Sequence, residues 1–235
     1  MEERFLRTSY LIGEEKVEKL NNSSVLIFGI GGVGSYVCEA LARAGVGRIM
    51  LVDGDTVSVS NINRQLIALE NTIGKEKAEV MKERILQINP DADVRCKNIF
   101  YGKENADEID FSEYDYVVDA IDNVTSKLLI IKKCDEGNIP IISSMGTGNK
   151  LCPEKLKISD IHKTTTCPLA RVMRHEVRKL GIKKLKVIYS TEEPIMLKEK
   201  CIDETTKKQV PGSVSFVPSC AGLMIAGEVI KDLIK

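Results

Sequence analysis

The chain has 235 residues, 43% of them hydrophobic, which is enough for one domain with a full core. Lys+Arg and Asp+Glu each number 34, so the formal net charge is zero, and a polyanionic partner has to meet a local patch rather than a globally basic protein. No apolar run approaches the ~20 residues of a membrane span, Met1-Glu2-Glu3-Arg4 shows no signal-peptide pattern, and the seven cysteines include no C-x-x-C pair, which points to a cytoplasmic protein with reduced thiols and no structural zinc.

In chain order, Arg4-Phe5-Leu6-Arg7 opens a short helical segment that Gly13 breaks, and Glu14 to Leu20 predicts a second helix. Val25 to Phe28 is an apolar run suited to a buried parallel strand. Gly29, Gly31 and Gly34 follow at once in the pattern G-x-G-x-x-G, and Val33 to Ala44 reads as a helix with Val33, Val37, Ala40, Leu41 and Ala44 on one face. The glycines permit a tight turn and close approach to a phosphate, and the helix start offers free N–H groups. A second strand, Arg48 to Val52, ends in Asp53, about twenty residues beyond the glycines, where an acid binds a ribose hydroxyl. Strand, glycine loop, helix, strand and acid together predict a nucleotide site.

The stretch Gly54 to Gln65 is polar and turn-rich and contains Asn61, Arg64 and Gln65. Gly74-Lys75-Glu76-Lys77 opens a helix that runs to about Asn89 before Pro90. Lys77 lies in the first turn, where the positive end of the helix dipole disfavours a cation, so a nearby anion is expected. Val94 to Ile99 predicts a third strand and Tyr114 to Asn123 a fourth, with Asp119 and Asp122 at its carboxyl end. A helix over 124–136, a strand over 139–143, a strand over 156–161, a basic helix over 168–180 with Arg171, Arg174, Arg178 and Lys179, and a strand over 187–190 follow. Residues 191–212 lack periodicity and predict a mobile loop. A closing helix over 218–233 places Leu223, Ala226, Ile230 and Leu233 on one face. The expected fold is α/β, a doubly wound parallel sheet continuing into antiparallel strands, with Gly31, Asp53 and Asp122 converging beyond the strand ends.

Arg64 and Lys77 supply cations beside this loop, and Asp122 offers a carboxylate suited to Mg²⁺. That set fits a triphosphate better than a nicotinamide. No G-x-x-x-x-G-K-[ST] motif occurs. Gly29 to Gly34, Asp53-Gly54-Asp55, Ser60 to Gln65, Gly74 to Lys77 and Asp119 to Asn123 together resemble the ubiquitin-activating-enzyme superfamily, whose bacterial members adenylate a carboxylate with ATP. The resemblance implies that Gly32 and Asp53 meet the adenosine part and that Asn61, Arg64 and Lys77 hold phosphates. Asp122 would hold Mg²⁺, with Arg64, Lys77 and Asp122 as the catalytic set. The wider ATP-binding set takes in Gly31, Gln65, Asn123 and Asp55, the last of which either supports the metal or caps a turn. In dimeric relatives an arginine of an R-[YF]-x-R motif reaches the partner's ATP, which singles out Arg7 and implies a homodimer.

Within the superfamily the sequence is most similar to the tRNA threonylcarbamoyladenosine dehydratases. The likeness rests on Leu11-Ile12-Gly13, Lys77 to Met81, Gln87 to Pro90, Asp160 to Thr164 and Cys167 to Ala170. It implies tRNA as partner, with Arg171, Arg174, Arg178 and Lys179 as candidate contacts. Cys167 and Cys201 are candidates for a thioester, but the chemistry does not require one; His162 and His175 read as solvated or tRNA-facing. A sulfur-carrier-protein adenylyltransferase, a nicotinamide dehydrogenase and a non-catalytic nucleotide-binding scaffold stay open as alternatives.

Overall fold

The computed structural model describes residues 2–198, 202 and 209–235. Two short helices, α1 (Leu6–Ile12) and α2 (Glu14–Asn21), precede β1 (Ser24–Phe28). Then come α3 (Gly34–Ala44), β2 (Arg48–Val52), α4 (Lys77–Ile88), β3 (Asp93–Lys97), β4 (Tyr116–Asp119), α5 (Val124–Gly137) and β5 (Ile141–Ser144). The chain closes with β6 (Leu156–Asp160), α6 (Pro168–Lys179), β7 (Lys186–Ser190) and α7 (Phe216–Leu233). The strands form one sheet in the order β3-β2-β1-β4-β5-β7-β6. All neighbours are parallel except β6 and β7 at the edge. The expected continuation into antiparallel strands is therefore this one pair, because β7 itself runs parallel to β5.

β1 lies inside the sheet between β2 and β4, and every one of its residues is buried. Its side chains alternate: Val25 and Ile27 pack with α3, α4 and α7, while Leu26 and Phe28 pack with α5 and the Tyr101 and Phe111 rings. A third cluster sets α6 against the β5–β7 side. The strand order reverses between β1 and β4, and ligands of open α/β sheets bind beyond such a switch point.

α7 departs from the expected stripe. Leu223 is 49% exposed, and Gly222 takes the buried place beside Ala221, Ile225 and Ala226. A Cβ on Gly222 would stand 2.4 Å from the Val33 carbonyl oxygen, so glycine there is what lets α7 cross α3 closely. The expectation of mobility for 191–212 falls partly on 199–201 and 203–208, which lie outside the described residues. The flanks are tied down: Thr191 donates its N–H to the Lys155 carbonyl at 3.0 Å, and Ile195 to that of Asn149 at 2.8 Å. Among the described residues, no helix is long and apolar enough to cross a membrane.

Candidate active site

Three neighbouring strands end at one level. Phe28 pairs with Val52 on one side and Asp119 on the other, so Gly29, Asp53 and Ala120 emerge together. Gly29 turns with φ +85°, and a Cβ there would lie 2.8 Å from the Ala120 carbonyl carbon; any side chain would force the ends of β1 and β4 apart. The glycine loop then delivers the N-terminus of α3 to the switch point.

Asp53 sits one residue past β2. Its Oδ2 accepts the Ile30 N–H at 2.6 Å and its Oδ1 the Asp55 N–H at 2.8 Å. Burial pushes this carboxyl up, and the two N–H groups and Lys77 only partly pull it back. Asp53 thus clamps the glycine loop, and its remaining lone pairs are free to accept from hydroxyls.

The loop after Asp53 folds back on the glycines. Asn61 is buried, and its Oδ1 accepts the Ser58 N–H at 3.1 Å to close a single 3-10 turn. Gln65 is 7% exposed, and its Oε1 has no hydrogen-bond partner among the described residues. Its Nε2 lies 3.8 Å from the place a Cβ on Gly31 would occupy. A buried amide oxygen without a donor costs roughly 1–3 kcal/mol, so this one suits a ligand's donor beside the glycine loop. The Arg64 stem crosses Gly32, with its Cγ 3.4 Å from a Cβ built there and Pro218 on the other side at 3.3 Å. Arg64 Nη1 donates to the Ser60 carbonyl and to Asn63 Oδ1, both at 2.8 Å, and among the described residues the Nε and Nη2 donors have no partner and suit an anion.

Lys77 is the first residue of α4 and is 5% exposed. Its Nζ pairs with Asp55 Oδ2 at 2.7 Å. Asp55 is therefore the anion that the helix dipole called for, and a phosphate oxygen is the natural replacement. Across the switch point, Asp122 and Asn123 are exposed. Asn123 caps α5 by accepting the Ser126 N–H at 3.1 Å. Asp122 makes no hydrogen bond or ion pair among the described residues, which leaves its carboxylate available to a hard cation. No group of three His, Cys, Asp or Glu side chains able to hold a metal occurs among the described residues, so such a cation would take most of its ligands from elsewhere.

One buried feature escaped the sequence reading. Lys127 Nζ, 0% exposed, lies 2.9 Å from Asp119 Oδ2 and 3.3 Å from Ser143 Oγ, and the Ser143 hydroxyl donates to the same carboxylate at 2.5 Å. The signal was available: Lys127 falls in the stripe Lys127, Ile130, Ile131, Cys134 that α5 buries, and a lysine there needs an acid. Asp119 is that acid, and the pair joins β4, β5 and α5 beneath the Ala120–Asn123 turn.

Other candidates lie apart. Arg7 is exposed on α1. Its neighbours Arg4 and Phe5 touch the Ile88 carbonyl and Gly45, at the far ends of α4 and α3 from the glycine loop. On α6, Arg171 and Arg178 are exposed. Arg174 is half-buried, its Nη1 donating to the Thr164 carbonyl at 2.6 Å and hydroxyl at 2.7 Å, and Lys179 pairs with Glu176 at 2.8 Å. Of the four cations expected to face tRNA, Arg174 and Lys179 thus have partners on the protein, while Arg171 and Arg178 make no hydrogen bond or ion pair among the described residues. Cys167 is 3% exposed in the core beside Met145 and Ala170, and Cys201 lies outside the described residues. His162 meets the Ile182 carbonyl at 3.2 Å, and His175 is exposed. A cavity of about 230 Å³ lined by Cys134, Asn138, Pro140, Ile182 and Lys184 lies at the opposite end of the sheet and contains none of the site residues.

The family model described as the ThiF family matches residues 4–235. The tRNA threonylcarbamoyladenosine dehydratase of Bacillus subtilis (strain 168) is 46% identical over 241 residues, which cover 99% of this chain and 95% of that protein. Two crystal structures of Escherichia coli tRNA N6-threonylcarbamoyladenosine dehydratase, TcdA, are similar over 98% of this chain. The complex with AMP has 34% identity, a TM-score of 0.89 and 94% of its chain covered. The complex with ATP has 33% identity, a TM-score of 0.88 and 93% covered.

Proposed function

The chain belongs to the ThiF family, and from that premise we propose that it is an ATP-dependent tRNA threonylcarbamoyladenosine dehydratase of the cytoplasm. One observation carries the reading: the similarity to the Bacillus subtilis dehydratase runs through 99% of the chain rather than stopping at the nucleotide-binding half.

In this reading the ATP ribose meets Asp53, and the adenosine lies on Gly31 and Gly32. The phosphates face Arg64 and Lys77, with Lys77 exchanging Asp55 for a phosphate oxygen. Mg²⁺, where bound, neutralises phosphate charge, and Asp122 would hold it. The threonyl carboxylate oxygen attacks the α-phosphorus; a new P–O bond forms and pyrophosphate leaves. An internal group of the modified adenosine then attacks the acyl carbon and AMP leaves with the former carboxylate oxygen, for net loss of water. The second nucleophile is already tethered, so the step gains from proximity and requires no enzyme thiol. The burial of Cys167 agrees with that.

Arg7 stands apart from its own chain's site, because its neighbour Phe5 packs on Gly45 and the eleven residues of α3 put about 16 Å between the glycine loop and that glycine. A homodimer supplies it in trans. Tyr10 at 74% and Leu11 at 88% exposure on the same helix fit a surface that a second copy covers. Arg171 and Arg178 offer the tRNA phosphates a contact.

The deciding experiment is ATP–pyrophosphate exchange with tRNA from cells lacking the dehydratase, against tRNA without the modification and against small carboxylates. Exchange stimulated by the modified tRNA alone is expected. Exchange driven by a protein tail or a small carboxylate would overturn the substrate, and none with any of them would overturn the adenylation.

A further inference from the structure

Asn63 links the loop that carries Arg64 to the segment before α7. Its Oδ1 accepts from Arg64 Nη1 at 2.8 Å, and its Nδ2 donates to the Ser213 carbonyl at 3.0 Å. The two bonds fix the amide's orientation, because an amide turned by half a rotation would set a donor against the guanidinium and an acceptor against the carbonyl. Ser213 follows Gly212, which is itself held to Asn149. Gly212 donates its N–H to Asn149 Oδ1 at 2.6 Å, and its carbonyl accepts the Asn149 N–H at 2.8 Å. Asn149 also accepts the Ile195 N–H on its carbonyl at 2.8 Å. It adopts φ +57°, the left-handed conformation that asparagine tolerates better than most residues. The loop after β5 lies three strand positions from β2, and a line of hydrogen bonds, with the Gly212–Ser213 peptide as its one covalent link, runs from Asn149 to Asn63 and Arg64.

We propose that Asn63 is a positioning residue that couples the arginine facing the ATP phosphates to the Pro211–Ser213 segment, with Asn149 as the far anchor of the same line. Arg64 Nη1 is held by two acceptors, one of them Asn63, and this fixes the guanidinium whose stem crosses Gly32. Without Asn63 the guanidinium keeps only the Ser60 carbonyl and swings about that contact. Binding an anion at Arg64 and seating Pro211–Ser213 against Asn149 then reinforce each other, and linkage makes the effect reciprocal.

This inference rests on the proposed ATP site, and the experiment separates the two. ATP affinity is measured by calorimetry for the full chain, for Asn63→Ala, for Asn149→Gly and for the double variant, with thermal melts to confirm folding. Glycine is chosen at 149 because it keeps the positive φ while removing the side-chain acceptor. Each single change is expected to weaken ATP about 3- to 10-fold, the range of one hydrogen bond. The double variant should be no weaker than the worse single, because both interrupt one line. Hydrogen exchange at the Gly212 amide should slow on ATP addition in the wild type and not in Asn63→Ala held at saturating ATP. Asn63→Gln is the rescue variant and should recover part of the loss. Singles that leave ATP affinity unchanged, or losses that multiply in the double variant, would overturn the coupling. A wild type that binds no ATP would instead overturn the site itself.

Discussion

At the residue scale, the Lys127–Asp119 pair is where charge has most at stake. Both side chains are fully buried, so each depends on the other and on Ser143 for the hydrogen bonding that water would otherwise give. Lys127→Met removes one partner and leaves a buried carboxylate uncompensated. Denaturant melts are expected to show a loss of about 3–5 kcal/mol, with the Asp119→Asn, Lys127→Met double variant recovering part of it. Asp232 gives a second test. It accepts from Tyr116 at 2.9 Å and pairs with Lys186 and Lys235. Burial works to raise its carboxyl, but hydrogen bonds from Lys186, Lys235 and Tyr116 outweigh burial and hold it at about 2. A free aspartate titrates near ~3.9, so the stabilising share of Asp232 is complete above that value and is lost as pH falls from about 4 to about 2. Melting temperatures across that window should fall more steeply for the wild type than for Asp232→Asn.

At the element scale, the α3–α7 crossing ties the glycine loop to the closing helix. The Val33 carbonyl that limits Gly222 belongs to the residue just before α3. Gly222→Leu should cost about 1–3 kcal/mol by forcing the helices apart. It should also weaken ATP, because Gly31 and Gly32 lie directly before the displaced Val33; unchanged ATP affinity in a folded Gly222→Leu protein would show that the loop is indifferent to α7. This crossing also marks the limit of what the sequence discloses. The strands and the glycine loop were legible, because apolar runs and the G-x-G-x-x-G spacing are local signals. The apolar stripe of α7 was misjudged at Leu223, because a glycine buried by close backbone contact has no hydropathy to announce it. Lys77 and Asp55 were each visible as candidates, yet their ion pair was not, since it joins residues 22 positions apart through a loop of irregular geometry. The bond from Arg174 to the Thr164 carbonyl was likewise hidden, because only the charge of Arg174 is apparent in the sequence.

At the scale of the whole molecule, two surfaces carry the expectations. With Arg174 and Lys179 engaged on the protein, the proposed tRNA contact on α6 rests on Arg171 and Arg178. Replacing both with Ala should lower the slope of log affinity against log salt by about 1.4–1.8, at about 0.7–0.9 for each lost phosphate contact, while ATP binding persists. An unchanged slope in filter binding would place the tRNA elsewhere. The other surface is α1. If Arg7 acts on the partner's ATP, a site needs Lys77 from one subunit and Arg7 from the other. Arg7→Ala and Lys77→Ala homodimers should each be nearly inactive. Mixed and allowed to exchange subunits, equal amounts give about half heterodimers, and each heterodimer contains one site with both residues intact and one with neither. Activity should return to about a quarter of the wild-type value, a fraction set by counting sites rather than by any adjusted rate. Subunit exchange is verified separately with differently tagged chains. Exchange without recovery would mean that Arg7 serves its own chain or none, and recovery well above a quarter would mean that one of the two substitutions had not disabled its site.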